Sequence, residues 1–152
     1  MMMHPGRILL VEDDSYDVEL TLSALVENHI NNEVVVVRDG AEALDYLYRR
    51  GDYEARAAGN PVVMLLDLKL PKMDGLEVLG RVKTDPNLKT TPVVMLTSSR
   101  EEQDLARSYN LGTNAYVVKP VDFSDFVEAI STLGLFWAVV NQPPPESVHR
   151  TH

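Results

Sequence analysis

The chain has 152 residues, 45% of them hydrophobic and 24% charged, which is the composition of one globular domain and excludes a disordered or fibrous chain. Its formal net charge of −9 repels the phosphates of nucleic acids and of anionic lipids, so we expect neither a nucleic-acid nor a membrane partner. The sequence contains no cysteine, which excludes disulfides, thiolate catalysis and cysteine-based metal centres.

Five apolar segments are predicted to be strands. Most are apolar at every position rather than at every second one, which is typical of parallel strands buried on both faces. The predicted strands are residues 7–11, 33–37, 61–66, 92–96 and 115–118.

Helical patterns follow each predicted strand. Apolar residues that recur every three or four positions predict helices over residues 16–29, 41–50, 76–82, 101–111 and 123–140. This alternation predicts a doubly wound α/β fold, with a five-stranded parallel sheet and helices on both faces. We expect residues 1–140 to form this domain and the proline-rich residues 141–152 to be a flexible tail.

The sequence shows no membrane or secretion signal. Its apolar runs are much shorter than the about 20 residues that are needed to span a bilayer. Residues 1–7 lack the apolar core of a signal peptide. We therefore expect a cytoplasmic protein.

Polar residues follow the ends of four predicted strands. In a parallel α/β sheet the carboxyl ends of the strands form one edge, and ligands bind there. The residues expected at this edge are Glu12, Asp13 and Asp14, then Asp67, then Thr97 and Ser98, and finally Lys119. Asp14 and Asp74 are better explained as helix N-caps, because each directly precedes a predicted helix.

The predicted carboxylate cluster needs a counter-charge. Two carboxylates about 5 Å apart repel each other by about 3 kcal/mol at an effective dielectric constant of about 20. A bound cation, the ammonium of Lys119 or uptake of protons would relieve that repulsion. Mg²⁺ suits a site of few carboxylates and several waters, so the sequence favours a magnesium site.

Four segments at these strand ends resemble the receiver domains of two-component response regulators, the CheY-like family. They are residues 8–14 (Ile-Leu-Leu-Val-Glu-Asp-Asp), 66–75, 95–98 (Met-Leu-Thr-Ser) and 116–120 (Tyr-Val-Val-Lys-Pro). The resemblance covers residues 7–134. It implies a flavodoxin-like sheet of strand order 2-1-3-4-5, and a signalling switch rather than an enzyme.

The resemblance also implies how such a switch would work. Asp67 would accept a phosphoryl group from a histidine kinase. Thr97 would turn toward that group and Lys119 would pair with it, while Tyr116 would move inward with Thr97 as an aromatic switch. The bond between Lys119 and Pro120 would be a cis peptide.

A magnesium site is implied by the same resemblance. Its ligands would be Glu12, Asp13, Asp67 and the backbone carbonyl of Lys69. The acidic pair is Glu-Asp, where the family more often has two aspartates. Glu12 is one methylene longer than aspartate, and we expect it to reach the ion through water.

A narrower resemblance is to the single-domain regulators that partner phytochrome-type histidine kinases. It is carried by residues 51–60, 84–92 and 136–144. It implies a phytochrome-type kinase as phosphoryl donor, whereas no motif in this chain binds a chromophore. We expect a stand-alone regulator without an effector domain, with output through phosphorylation-dependent protein contacts and a homodimer through the fourth helix, fifth strand and last helix. Candidate apolar contacts on that face are Tyr109, Phe136 and Trp137.

Three other interpretations compete with this one. A phosphatase of the haloacid-dehalogenase type would need a second aspartate two residues after Asp67, where Lys69 stands. A nucleotide or flavin module would need a glycine-rich turn after the first strand, where the sequence has Glu12 followed by two aspartates. A receiver that only docks partners and never accepts phosphate would not need Asp67, Thr97 and Lys119 together.

Overall fold

The computed structural model describes residues 6–108, 115–135 and 139. Five parallel strands form a single sheet in the order β2-β1-β3-β4-β5, which confirms the predicted fold class and strand order. The strands are β1 Ile8–Val11, β2 Val34–Val37, β3 Val63–Asp67, β4 Val93–Thr97 and β5 Ala115–Val118.

Five helices connect or follow the strands, and aspartate side chains cap several of them. The helices are α1 Ser15–Glu27, α2 Gly40–Tyr48, α3 Gly75–Thr84, α4 Arg100–Ser108 and α5 Phe123–Thr132, with a short 3₁₀ helix at Gly51–Tyr53. Asp14 accepts hydrogen bonds from the first-turn amides of α1, and Asp74 does so for α3. Both predictions of an N-cap are confirmed. No described helix has the length and apolar character that crossing a bilayer requires.

The prediction of one continuous helix over residues 123–140 is wrong. Helix α5 ends at Thr132, and Gly134 adopts a left-handed φ of 76°. The amides of Gly134 and Leu135 then donate to Ser131 and Ile130, a pairing that terminates helices and favours glycine. Residues 109–111 of the predicted fourth helix, the predicted tail, and Tyr109, Phe136 and Trp137 lie outside the described residues.

The core lies on both faces of the sheet, as the continuous apolar strands predict. Alternate residues of β1 point to opposite sides, so Ile8 and Leu10 pack with α1 and α5. Leu9 and Val11 pack with α2 and α3 on the other face. Because helices cover both faces of the sheet, its polar residues reach solvent mainly where the strands begin and end. The amino ends of the strands form one edge, and the carboxyl ends form the other.

A glycine brings α3 close to the carboxyl end of β3. A Cβ atom added at Gly75 would lie 2.1 Å from the backbone oxygen of Asp67 and 2.9 Å from the Cα of Leu68. The amide of Gly75 donates to the carbonyl of Leu68 at 2.8 Å. Any larger residue would push the helix away from Asp67, so this contact sets the backbone around that side chain.

Candidate functional site

The ends of β1, β3, β4 and β5 bring the predicted polar residues to one edge of the sheet. Glu12 directly follows β1, Asp67 and Thr97 end β3 and β4, and Lys119 directly follows β5. Parallel pairing aligns these ends, since Asp67 pairs with Leu96 and Thr97 pairs with Val118. The Lys119–Pro120 peptide bond is cis, as predicted.

The ammonium group of Lys119 lies at the centre of this edge. The Nζ atom of Lys119 lies 3.1 Å from Oε1 of Glu12, 3.1 Å from Oδ2 of Asp67 and 3.0 Å from Oδ2 of Asp17. Burial lowers the pKa of Lys119, but the hydrogen bond to Asp17 and the charges of Asp67 and Glu12 outweigh it. The net pKa is above the ordinary value, so the ammonium stays protonated.

Three carboxylates converge closely enough to share a cation. Glu12, Asp13 and Asp67 each offer an oxygen, and these oxygens lie within 4.8 Å of one another. Glu12 and Asp67 are buried, whereas Asp13 is exposed. Such a set of hard oxygen donors fits Mg²⁺ or a similar divalent ion. The predicted carboxylate ligands are therefore brought together, and the backbone amide of Lys69 donates to Oδ1 of Asp67 at 3.3 Å.

The carboxylate of Glu12 is in an unfavourable environment. Burial, followed by a hydrogen bond and charge repulsion from Asp67, raises its pKa to about 7. The backbone amide of Asp14 and the ammonium of Lys119 oppose this rise only in part. Negative charge is thus in excess at the edge, which is the condition under which a divalent cation is attracted.

Asp17 belongs to this network, although the sequence did not single it out. It lies in the first turn of α1, and its backbone amide donates to Oδ1 of Asp14 at 3.0 Å. The N-cap fixes the start of the helix and thereby directs Asp17 toward Lys119. An acidic residue one turn into a helix that follows an acidic strand end is the signal that could have found it.

The hydroxyl of Thr97 is buried without a hydrogen-bond partner among the described residues. Its backbone carbonyl accepts from the amide of Lys119 at 2.7 Å, so the two strand ends are joined. The hydroxyl is therefore free to form a new hydrogen bond at this edge. Unpaired buried hydroxyls are uncommon in folded proteins.

A second residue that sequence reasoning missed is Glu102 of α4. Its Oε1 accepts from the amide of Ser98 at 2.8 Å, and its Oε2 lies 3.3 Å from Nζ of Lys69. Burial raises the pKa of Glu102, but the amide of Ser98 and the ammonium of Lys69 together hold it below its usual range. Glu102 therefore ties the loop after Thr97 to the residue two positions beyond Asp67.

Tyr116 lies apart from the carboxylates. It is a half-buried residue of β5, and the guanidinium of Arg107 lies 4.3 Å from the centroid of its ring. The structure thus places Tyr116 against α4 rather than in the network around Lys119. A groove of about 360 Å³ between α4, β5 and α5 includes this side chain.

The fold and this edge define a class of protein. A doubly wound parallel sheet in this strand order, with buried carboxylates and a lysine at the carboxyl ends of its strands, is typical of α/β domains whose ligand site lies at those ends. The chain belongs to the response regulator receiver domain family, whose model it matches over residues 8–131. It is therefore a protein of two-component signalling, in which receiver domains partner with histidine kinases.

Relatives of known description agree with this family. Response regulator Rcp1 of Synechocystis sp. (strain ATCC 27184 / PCC 6803 / Kazusa) is 41% identical over 133 residues, which cover 88% of this chain and 89% of that protein. The structure of the bacteriophytochrome response regulator RtBRR is 62% identical, with a TM-score of 0.85 and coverage of 97% of this chain and 88% of that one.

Two further structures are of phytochrome-related or metal-bound regulators. The phosphorylated cyanobacterial phytochrome response regulator RcpA is 43% identical, with a TM-score of 0.70 and coverage of 89% of this chain and 94% of that one. The Mn(2+)-bound form of Rcp1 is 39% identical, with a TM-score of 0.70 and coverage of 92% and 99%. The chain is therefore similar to phytochrome response regulators in sequence and in fold.

Proposed function

We propose that Asp67 is the phosphoacceptor of a response regulator. The observation that carries this proposal is the setting of its carboxylate, which is buried beside Glu12 and held between the ammonium of Lys119 and the amide of Lys69. These groups position the nucleophile and offer positive charge to incoming phosphoryl oxygens, which is most of what phosphoryl transfer requires.

The transfer itself exchanges one bond for another. A carboxylate oxygen of Asp67 attacks the phosphorus of a phosphohistidine on the kinase, and a new O–P bond forms. The P–N bond breaks, and its electron pair returns to the ring nitrogen of the histidine. Lys119 then pairs with an oxygen of the transferred group. Its ammonium is already within reach of that group because it contacts Asp67.

Glu12, Asp13, Asp67 and the backbone carbonyl of Lys69 would hold Mg²⁺ in this reaction. When bound, the ion supplies charge neutralisation for the phosphoryl oxygens. The protein's own contribution is to hold the three carboxylates together although they repel one another. The Mn(2+)-bound form of the relative Rcp1 supports a divalent ion here.

Thr97 and Tyr116 would convert phosphorylation into a change of surface. The unpaired hydroxyl of Thr97 can donate to a phosphoryl oxygen, which would draw the end of β4 and its loop inward. Tyr116 lies on the neighbouring strand against Arg107 and would follow that movement. The altered surface would be the groove between α4, β5 and α5, where we also place a homodimer interface.

A phytochrome-type histidine kinase is the proposed donor. Support comes from the likeness to RtBRR and RcpA, which are described as phytochrome response regulators. The surplus of acidic residues in the chain fits protein partners rather than nucleic acid. Output would therefore be a contact with another protein that depends on the phosphorylation of Asp67.

Acetyl phosphate with Mg²⁺ tests the phosphoacceptor directly. Intact-mass spectrometry should show the addition of one phosphoryl group to the wild type and none to Asp67→Asn. Asp104→Asn, which removes the same charge from an exposed site on α4, is the matched control and should be labelled like the wild type. A wild type that gains no mass would instead support a receiver that only docks partners.

A further inference from the structure

We propose that Asp17 is a positioning residue for Lys119. It would hold the ammonium beside Asp67 when a divalent cation occupies the carboxylates of the site. The inference rests on the proposed function of that site, and it assigns a task to a side chain that the sequence did not single out.

The contacts of Lys119 divide into two kinds. Glu12 and Asp67 accept from its ammonium at 3.1 Å, and both also belong to the cluster that could hold a cation. Asp17 accepts at 3.0 Å, and within the described part of the chain it is not a member of that cluster. Among the three partners, Asp17 is thus the one that a bound cation would leave to Lys119.

A divalent cation and an ammonium compete for the same oxygens. A cation bound by Glu12 and Asp67 would draw on their lone pairs and would repel the like charge of Lys119. The lysine side chain is long and flexible, and its ammonium is a compact point charge that moves readily. Without another anchor the ammonium would move into solvent, where it could not reach a phosphoryl group on Asp67.

Asp17 is suited to be that anchor. Its backbone amide is held by the side chain of Asp14, and the adjacent Val18 is buried in the core, so the first turn of α1 is fixed. Its side chain is 28% exposed, compared with 1% for Glu12 and 5% for Asp67. The carboxylate of Asp17 therefore lies at the rim of the site, and the ammonium of Lys119 contacts both it and the carboxylate of Asp67.

Magnesium titration of variants tests this role without any phosphoryl transfer. We expect Asp17→Asn to raise the Kd for Mg²⁺ severalfold, because Lys119 is then left with only the two carboxylates that the cation also needs and competes with it more strongly. Glu19→Gln is the matched control, since it removes the same charge from an exposed position on the same helix, and it should change the Kd by less than about twofold. Asp17→Glu keeps the charge and should restore part of the affinity.

A double-mutant cycle separates positioning from a simple effect of charge. In a Lys119→Met background, Asp17→Asn should change the Kd by less than it does with Lys119 present, because the group it positions is gone and only the charge of Asp17 is lost. An equal loss of affinity with and without Lys119 would overturn the proposal. NMR of the Lys119 side-chain nitrogen gives a second readout: its signal should stay sharp in Mg²⁺-bound wild type and broaden in Asp17→Asn.

The rate of labelling by acetyl phosphate distinguishes this inference from the proposed function. At saturating Mg²⁺ the Asp17→Asn variant should be labelled several times more slowly than Glu19→Gln. Should the wild type never be labelled, the phosphoacceptor proposal fails, and the magnesium and NMR measurements still decide the role of Asp17. Should labelling be normal in the wild type and equally fast in both variants, the role of Asp17 is refuted alone.

Discussion

The two edges of the sheet hold their charged side chains in opposite ways. At the amino ends of β1 and β3, Arg56 donates to the carbonyls of Tyr46 and of residues 57 and 59, and its guanidinium lies 4.1 Å from the centroid of the Tyr46 ring. Arg7 donates to the Tyr46 hydroxyl and to the carbonyls of residues 57–59. At the carboxyl ends, the ammonium of Lys119 pairs with three carboxylates, those of Glu12, Asp17 and Asp67.

The difference separates a structural network from a reactive one. At the amino edge, guanidinium groups donate to neutral acceptors and lie over an aromatic face, and these contacts fasten the 51–60 segment to the sheet. Burial and the like charges of Arg7 and Arg49 still lower the pKa of Arg56. At the carboxyl edge, carboxylates outnumber the ammonium, and the pKa of Glu12 rises to about 7 because of burial and Asp67. Such stored repulsion is relieved by a ligand, and it marks the edge where chemistry takes place.

Removal of Lys119 should disrupt the ion pairs at the carboxyl ends of the strands and cause the largest loss of stability among these predictions. Lys119→Met leaves Glu12, Asp17 and Asp67 without their shared counter-charge, so we expect a loss of about 3–5 kcal/mol in the free energy of unfolding without divalent ions. Urea unfolding measures it, and added Mg²⁺ should recover part of the loss.

Lys69→Met is the control for that substitution. The Lys69 side chain is 77% exposed and its ammonium pairs with Glu102, so its removal should cost no more than about 0.5 kcal/mol. Equal losses for the two variants would show that Lys119 contributes no more than a surface lysine, and the distinction between the two edges would fail.

Protonation of Glu12 gives a smaller effect with a definite sign. Its pKa is about 7 in the folded protein and 4.5 ordinarily, so between these values the folded state binds more protons than the unfolded state. Stability from this group therefore falls as the pH rises from about 4.5 to 7, by about 3 kcal/mol in total. Glu12→Gln should be more stable than wild type at pH 8 and should lose this advantage near pH 4.5.

Chemical denaturation across this pH range provides the measurement. Glu54→Gln, at an exposed position, should follow the wild-type pH profile throughout. A wild type whose stability rises steadily with pH to the same degree as that of Glu12→Gln would show that the carboxylates do not repel each other in the folded protein.

The sequence predicted the members of the site that topology alone brings together. Glu12, Asp67, Thr97 and Lys119 each end or directly follow a strand, and parallel strands must deliver such residues to one edge. The continuous apolar strands likewise predicted a sheet that is covered on both faces. These inferences need only the order of elements and no side-chain detail.

Contacts that depend on the rotation of a helix or the path of a loop were not predictable in this way. Asp17 reaches Lys119 because the Asp14 cap sets the start of α1, and Glu102 reaches Lys69 across two loops. The end of α5 was missed because an apolar run continues past Thr132 while Gly134 turns the chain. Periodicity reports burial, and it does not report where the backbone changes direction.

Removal of Arg56 should disturb only the amino edge and gives the smallest of these effects. Arg56→Ala loses hydrogen bonds to backbone carbonyls and the stacking on Tyr46, so we expect a loss of about 1–2 kcal/mol in the free energy of unfolding. Hydrogen exchange should rise in residues 51–60, whereas the Kd for Mg²⁺ should not change. Arg50→Ala is the control, since its exposed guanidinium pairs with Asp45, and it should cost at most about 0.5 kcal/mol. A weaker Mg²⁺ affinity in Arg56→Ala would contradict this expectation. It would mean that contacts at the amino ends of the strands help to set the spacing of the carboxylates at the carboxyl ends, through the strands that join the two.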